Sequence, residues 1–296
     1  MVSSLHIIWN PVSGAGAGEK TFRLVSAILK AKDIPFSSAM TEYPGHASLL
    51  AEEAVASGAE RILMLSGDST LREIAPALAG KDVVLGIVPC GSGNDLARPL
   101  RLPLDPAVAL DIALSDHVRK LDAGTANGKL FFNIAGVGFD VDVLVATDKY
   151  REMGYTGSRA YMKALLSCIF RPTCRKMFIK TPEQTMTKNA LVLAAGNGSH
   201  FGGGLNVTPG ADPFDGKFNV CVIHDVSRIS VLYVLSKFLK GTHTETKYCT
   251  CFQTTELEVT CEPESMMELD GTIMKGTPVT IKILPGFVNL AVPEDV

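Results

Sequence analysis

Over the first part of the chain, apolar positions fall into short runs separated by polar, glycine-bearing turns. Residues 5–9, 36–40, 62–65 and 83–88 have the length and composition of buried strands. Between them the period lengthens. Residues 19–32, a stretch ending near 57, and the spacing of Leu71, Ile74 and Leu78 fit helices that bury one face. Four strand–turn–helix units in succession predict a doubly wound α/β domain. The clearest unit spans 61–74: an apolar strand stops at Ser66-Gly67-Asp68-Ser69-Thr70 and a helix follows, with Asp68 or Ser69 placed to cap it.

From about residue 118 the pattern changes. Alternating runs at 130–135, 190–195, 218–223, 257–261 and 279–284 are joined by irregular glycine-bearing links, which predicts an antiparallel β-sandwich. Within this half, 141–149 and 158–170 read as helices. A basic segment follows the second, with Arg171, Arg175, Lys176 and Lys180 beside Met177 and Phe178. It reads as a contact for an anionic membrane surface or as the solvated face of a packed helix, the second being favoured.

A turn that opens a helix at the carboxyl end of a parallel strand presents unpaired main-chain N–H groups and the positive end of a helix dipole, so an anion is the expected ligand. The loop Asn10-Pro11-Val12-Ser13-Gly14-Ala15-Gly16-Ala17-Gly18 occupies such a place and meets neither common phosphate motif. A Walker A loop needs Gly-Lys-Ser/Thr in direct succession, and here Glu19 separates Gly18 from Lys20. A dinucleotide fingerprint needs glycine where Glu19 stands. Gly91-Ser92-Gly93-Asn94-Asp95 ends the fourth strand. Three such turns together predict a nucleotide phosphate chain along one sheet edge. His46 reads as an ordinary helix-start residue.

Bulk properties narrow the field. A chain of 296 residues with 46% hydrophobic and 20% charged positions fits a soluble protein of two domains. A formal net charge of −3 gives no support for nucleic-acid binding. No apolar run is long enough to span a bilayer, and the first residues lack the layout of a secretory signal. Seven cysteines at scattered spacings predict free thiols in a reducing compartment, hence a cytoplasmic protein. Cys249 and Cys251 are the closest pair, but no second pair or histidine set stands at zinc-site spacing, so a structural role is expected.

The motifs also add up. Asn10-Pro11-x-Ser13-Gly14, Ser66-Gly67-Asp68-x-Thr70-Leu71, Gly91-Ser92-Gly93-Asn94-Asp95, Gly196-Asn197-Gly198 with Gly202-Gly203-Gly204, Pro209-x-Ala211-Asp212-x-x-Asp215-Gly216, and Leu269-Asp270-Gly271 occur in one order. In order and spacing this set resembles the diacylglycerol kinase catalytic family, which includes small bacterial lipid kinases and sphingosine kinases. The resemblance covers essentially the whole chain. It implies an ATP- and Mg²⁺-dependent kinase that phosphorylates diacylglycerol or a similar lipid alcohol, touching the inner membrane face peripherally. It also implies an α/β nucleotide domain over 1–125 rejoined by 285–296, a β-sandwich lipid domain over 126–284, and an active cleft between them. ATP would lie against Asn10, Ser13, Gly14 and Thr41, against Ser66, Gly67, Asp68, Ser69, Thr70, Leu71 and Arg72, and against Gly91, Ser92, Gly93, Asn94 and Asp95. Asp68 would stand at the phosphoryl-transfer centre. Mg²⁺ would take the Asp215 carboxylate and main-chain carbonyls of Asp212 and Lys217.

Two departures bear on activity. Where the family's turn reads Gly-Gly-Asp-Gly-Thr, this chain has Ser66 and Ser69, and a side chain at 69 is strained if the backbone there has positive φ. Where the family has a glutamate base after Asp-Gly, this chain has Thr272, which cannot accept a proton near neutral pH. Losing a general base costs ~10²–10⁴-fold in rate, although Asp68 could take over part of the role. Two alternatives therefore stand beside a lipid kinase: a pseudokinase that binds nucleotide or lipid without turnover, and a kinase of a soluble acceptor such as NAD.

Overall fold

The computed structural model describes residues 4–296. Residues 1–3, at the head of the stretch read for a targeting signal, lie outside the described residues. The chain divides into two compact units. Unit 1 comprises Met1–Ala123, Pro213–Gly216 and Leu284–Val296, and unit 2 comprises Gly124–Asp212 and Lys217–Ile283.

Unit 1 is built from β1 (Leu5–Trp9), α1 (Ser13–Ala31), β2 (Phe36–Met40), α2 (His46–Ala56), β3 (Arg61–Ser66), α3 (Asp68–Leu78), β4 (Val84–Pro89), α4 (Pro106–Ala113) and the first part of β5 (Val118–Ala126). The strands pair in parallel in the order β4-β3-β1-β2. Residues 289–290 extend the sheet in parallel beside β4. β3 lies centrally, so every residue from Arg61 to Ser66 is buried, as expected of a parallel strand covered on both faces. One side of the sheet packs Ile7, Leu63 and Val88 against Val25, Leu29 and Leu110. Leu71, Ile74 and Leu78 of α3 are buried, as their spacing predicts. α1 starts earlier than the periodicity suggests, but Gly14, Ala15 and Gly16 lie at φ +56°, +56° and +93°, so regular helix begins only beyond them. The sequence reading missed α4, a short helix set by Pro106 in its first turn and by Asp105, whose carboxylate accepts from the Ala107 and Val108 N–H groups.

Unit 2 continues with β6 (Lys129–Phe131), β7 (Ile134–Gly138), α5 (Phe139–Glu152), α6 (Gly157–Phe170), β8 (Arg175–Lys180), β9 (Thr185–Gly196), β10 (His200–Phe201), β11 (Leu205–Asn206) and β12 (Phe218–His224). There follow α7 (Ser230–Phe238), a 3₁₀ turn (His243–Glu245), β13 (Cys249–Thr254), β14 (Glu256–Glu262), β15 (Met267–Leu269), β16 (Thr272–Met274) and the first part of β17 (Val279–Ala291). Its pairings with defined register are antiparallel: β9 with β7, β8 and β12, β14 with β8 and β17, β13 with β12, and β15 with β7 and β16. Side chains alternate between two apolar layers. Phe131, Met177, Leu193, Phe218, Val259 and Ile281 share one. Leu191, Cys221 and Ile223 face the other with Ile169 of α6 and Val231 and Val234 of α7.

Two expectations are corrected here. The run 130–135 is not one strand. It breaks at Phe132 and Asn133, whose N–H groups turn to the Asp270 carboxylate at 2.9 and 3.0 Å. The basic segment after α6 is β8, not a helical face. Met177 is in the core, Arg175 is held by both oxygens of Asp142 at 2.7 and 2.9 Å, and Lys180 pairs with Glu258 at 3.2 Å. Two of its four cations, Arg175 and Lys180, are thus paired within the fold.

Candidate active-site elements

Four of the predicted turns meet at one edge of unit 1, the carboxyl ends of its parallel strands. Asn10 follows β1 and donates its N–H to Leu65 O at 3.2 Å, Thr41 follows β2 and donates to Trp9 O at 2.9 Å, and Cys90 follows β4 and donates to Ser66 O at 3.1 Å. The turns after β3 and β4 touch through bare backbone. A Cβ on Gly91 would stand 2.6 Å from Gly67 Cα and 2.8 Å from Asn94 Oδ1. Similarly, a Cβ on Gly14, at φ +56°, would stand 2.2 Å from Cys90 O. Asn94, at φ +49°, closes its own turn by accepting from Gly91 N–H at 2.9 Å and donating to Gly91 O at 3.0 Å. The Asp68 carboxylate spans two turns by accepting the Asp95 N–H at 2.9 Å. Ser66 and Thr70 hydroxyls share a buried 2.6 Å hydrogen bond. The edge is thus a rigid set of main-chain groups at the start of α3, suited to an anion.

Some expected roles change. The residue at the start of α3 is Gly67, and no side chain caps the helix; Asp68 lies in the first turn. Ser69 lies inside the regular first turn, is not at positive φ, and is exposed, so the strain argument against it falls. Leu71 points into the core at 1% exposure, which leaves only its main chain for this edge, while Arg72 is half-buried and Ser92 exposed. Ser13 and Thr21 hydrogen-bond the buried Cys90 thiol, yet burial dominates and pushes that thiol up to about 11.

The loop expected to hold Mg²⁺ is anchored by a residue that sequence reasoning overlooked. Asp122, 2% exposed on β5, accepts from Gly216 N–H and from Gly286 N–H, each at 2.7 Å. It thereby pins the loop 213–216 and the final segment of unit 1. Phe214 of the same loop lies under the Arg119 guanidinium, 4.1 Å from its ring centre. Asp215 is exposed in unit 1, and Asp212 and Lys217 are exposed at the neighbouring ends of unit 2. Every donor named for the cation is an oxygen, the hard type Mg²⁺ prefers, on a loop that Asp122 holds in place. A lone carboxylate in the buried strand run Leu121-Asp122-Ala123 was the signal for Asp122.

Unit 2 holds a different feature. A cavity of about 80 Å³ is lined by hydrocarbon from α5, α6, α7 and the sheet, including Val143, Leu165, Ile169, Val234 and Phe238. Asp140 is the one charged residue in its lining. It is 6% exposed, and burial pushes its carboxyl up to about 7. Gly136 supplies room for this acid and for Glu268, since a Cβ there would run into both carboxylates. Outside the cavity, Met162, Leu166 and Phe170 form an exposed apolar stripe at helical spacing along α6, and Ile229, Leu232, Tyr233 and Leu239 are exposed on and beside α7.

Asp270-Gly271 is the two-residue turn of the β15–β16 hairpin, with φ +46° and +79° and Leu269 opposite Thr272. The Asp270 carboxylate accepts from three successive N–H groups, Phe132, Asn133 and Ile134, at 2.9, 3.0 and 3.0 Å. The motif's aspartate is therefore an architectural anchor that shapes the β6–β7 bend. Thr272 follows it as an exposed residue of unit 2.

A parallel α/β unit, joined in one chain to an antiparallel β unit with a hydrocarbon-lined cavity, defines an α/β protein with a β-sandwich-like partner domain. Comparisons then supply the family. The Diacylglycerol kinase catalytic domain matches residues 4–126, and the YegS C-terminal NAD kinase beta sandwich-like domain matches residues 133–292. A "Diacylglycerol kinase" of Mycobacterium tuberculosis (strain ATCC 25618 / H37Rv) is 29% identical over 303 residues, covering 99% of this chain and 96% of that protein. A "Probable lipid kinase YegS-like" protein of Pseudomonas aeruginosa (strain UCBPP-PA14) is 30% identical over 282 residues, covering 95% of this chain and 92% of that one. The crystal structure of a diacylglycerol kinase from Bacillus anthracis str. Sterne has the same fold, with a TM-score of 0.76 at 22% identity over 100% of this chain and 98% of that chain. The chain belongs to the diacylglycerol kinase and YegS-like lipid kinase family, a family of phosphotransferases. No helix among the described residues is long and apolar enough to cross a membrane.

Proposed function

We propose that this protein transfers the γ-phosphoryl group of ATP to the hydroxyl of diacylglycerol or a similar lipid alcohol at a membrane surface. The observation that carries the choice of a lipid is the hydrocarbon-lined cavity of unit 2 with its single acid, Asp140. The apolar lining suits the hydrocarbon of a lipid, of which a cavity this size takes a few methylene groups, and one carboxyl at its wall offers a polar headgroup a hydrogen bond. The exposed stripe Met162, Leu166 and Phe170 beside Arg159 and Lys163 gives the same unit an apolar and basic surface for peripheral contact with anionic lipid. NAD, a polar acceptor, has no use for either feature.

In unit 1, the N–H groups at the start of α3 and the Asn10–Gly14 and Gly91–Asp95 turns hold the phosphate chain, with Ser13, Thr41 and Ser92 hydroxyls close by. Transfer of a phosphoryl group is accelerated mainly by positioning and charge neutralisation, which a rigid edge supplies. Asp215, with main-chain carbonyls of Asp212 and Lys217, would hold Mg²⁺, whose positive charge offsets that of the phosphates. Asp68, fixed by the Asp95 N–H, orients the reacting groups and accepts the lipid hydroxyl's proton in place of the base that Thr272 cannot provide.

Thr272 also favours a second reading, a pseudokinase that binds nucleotide and lipid without turnover. Labelled-ATP transfer to mixed-micelle diacylglycerol, to a sphingoid base and to NAD, with nucleotide binding measured in parallel, separates the readings. Transfer to a lipid acceptor supports the kinase, binding without transfer supports the pseudokinase, and transfer to NAD alone removes both.

A further inference from the structure

The sequence offers only Cys249 and Cys251 as a close cysteine pair, but the sheet brings a third thiol to them. In the β12–β13 ladder Cys221 stands opposite Cys251, and Ile223 opposite Cys249. The Sγ atoms of Cys221 and Cys249 are 3.1 Å apart and those of Cys249 and Cys251 3.4 Å apart. All three sulfurs lie within 4.8 Å of one another, the one such group of potential metal ligands among the described residues. None is in a disulfide; Cys221 is buried, Cys249 half-buried and Cys251 exposed, so the cluster opens to solvent at one side. It sits on the sheet face covered by α7, since Cys221, Ile223 and Cys249 share an apolar layer with Val231 and Val234.

We propose that Cys221, Cys249 and Cys251 bind a thiophilic d¹⁰ cation, Zn²⁺ or Cu⁺, through three thiolates, with solvent able to fill a fourth position at the Cys251 side. Thiolates are the donors that select these soft ions over Mg²⁺. Uncharged thiols are weak hydrogen-bonding groups and gain little from such crowding, whereas a shared cation compensates it. Zn–S bonds of about 2.3 Å at a tetrahedral centre set sulfurs ~3.8 Å apart, so the three need only spread by side-chain rotation. On binding, each sulfur still protonated gives its proton to solvent and its lone pair to the metal; no oxidant or reductant is involved.

His243, on the 3₁₀ turn before β13, is a neighbour of this cluster and not one of its ligands. Its Nε2–H donates to Val207 O at 2.9 Å, and burial keeps the ring neutral by lowering its pKa. The cation would tie β12 to β13 at both ends of the segment that carries α7, and α7 lines the apolar cavity. A metal would therefore act structurally on the wall of that cavity.

The test uses the full chain, purified anaerobically with reductant, treated with chelator, and titrated with Co²⁺ or Cd²⁺. The expected result is one equivalent per chain with a thiolate-to-metal charge-transfer band, and Zn²⁺ displacing Co²⁺. Cys251→Ser, at an exposed position that leaves the core untouched, should weaken binding at least tenfold, while Cys168→Ser should leave it unchanged. Absence of the band, equal affinity in Cys251→Ser with its fold intact, or equal loss in Cys168→Ser would each overturn the proposal. So would recovery of a Cys221–Cys249 disulfide in place of a metal adduct.

Discussion

Replacing Gly91 by alanine tests the phosphate-binding edge at its tightest point. The new Cβ would stand 2.6 Å from Gly67 Cα, about 0.9–1.4 Å inside the ~3.5–4.0 Å at which carbon atoms rest against one another. Gly67 is backbone, so neither partner can swing away; the two turns must part. Overpacking of this kind costs about 1–3 kcal/mol of stability. A shift of about an ångström also spoils the aim of N–H donors at a phosphate. Losing one hydrogen bond to a charged group costs about 1.5–3 kcal/mol, or roughly 10–100-fold in affinity. The assay pairs denaturant unfolding with ATP binding by calorimetry. Gly45→Ala, on a different loop with no atom near the added carbon but φ +88°, controls for backbone strain alone. Gly91→Ala with unchanged ATP affinity would refute the claim that these turns hold the phosphates. An unfolding midpoint equal to that of wild type would refute the packing argument.

Other substitutions probe the remaining elements. Thr272→Glu should raise lipid-kinase turnover by about tenfold or more if a missing base limits the rate; steady-state rates no higher than wild type, with the fold intact, would remove that explanation. Asp270→Ala leaves three N–H groups without their carboxylate and should destabilise the chain by several kcal/mol, on the order of 1–3 per unsatisfied group; an unfolding free energy within 1 kcal/mol of wild type would contradict the anchoring role. Asp140 releases its proton near pH 4 when unfolded but near 7 when folded. The native state then binds more protons across that window, so stability contributed by this group is present below pH 4 and is lost as pH rises through 7. Asp140→Asn should therefore gain stability relative to wild type between pH 5 and pH 8, by up to a few kcal/mol, and an equal difference at both pH values would refute the buried-acid assignment. Ser69→Gly should alter ATP affinity by less than threefold, because the serine is exposed and unstrained; calorimetry showing tenfold tighter binding would reinstate a steric obstruction.

Much of unit 1 was legible because its strands are short apolar runs bounded by polar turns: β1 and β2 begin and end where the pattern places them, and β3 and β4 differ by one residue at each end. The helices expected at 141–149 and 158–170 are α5 (Phe139–Glu152) and α6 (Gly157–Phe170). Legibility failed where tertiary pairing overrides local signal. β13, Cys-Thr-Cys-Phe-Gln-Thr, lacks a clear apolar face and is a strand because β12 lies beside it. Phe132 and Asn133 sit in an apolar run, yet Asp270, distant in sequence, bends the chain there. At the candidate site, residue types in the turns were informative, but what holds them was not. Gly67 and Gly91 meet across two turns, Asp122 reaches a loop about 90 residues away, and Asp140 enters a cavity whose walls come from separate helices. None of these follows from spacing along the chain.

Initial rates of γ-phosphoryl transfer from ATP to diacylglycerol in mixed micelles, compared between wild type and Asp68→Asn, test the central claim most directly. The account predicts a lipid phosphate formed only with ATP and Mg²⁺, and at least a hundredfold loss in Asp68→Asn with folding and nucleotide binding retained. No lipid phosphate from the wild type, or equal rates in the two proteins, would contradict it.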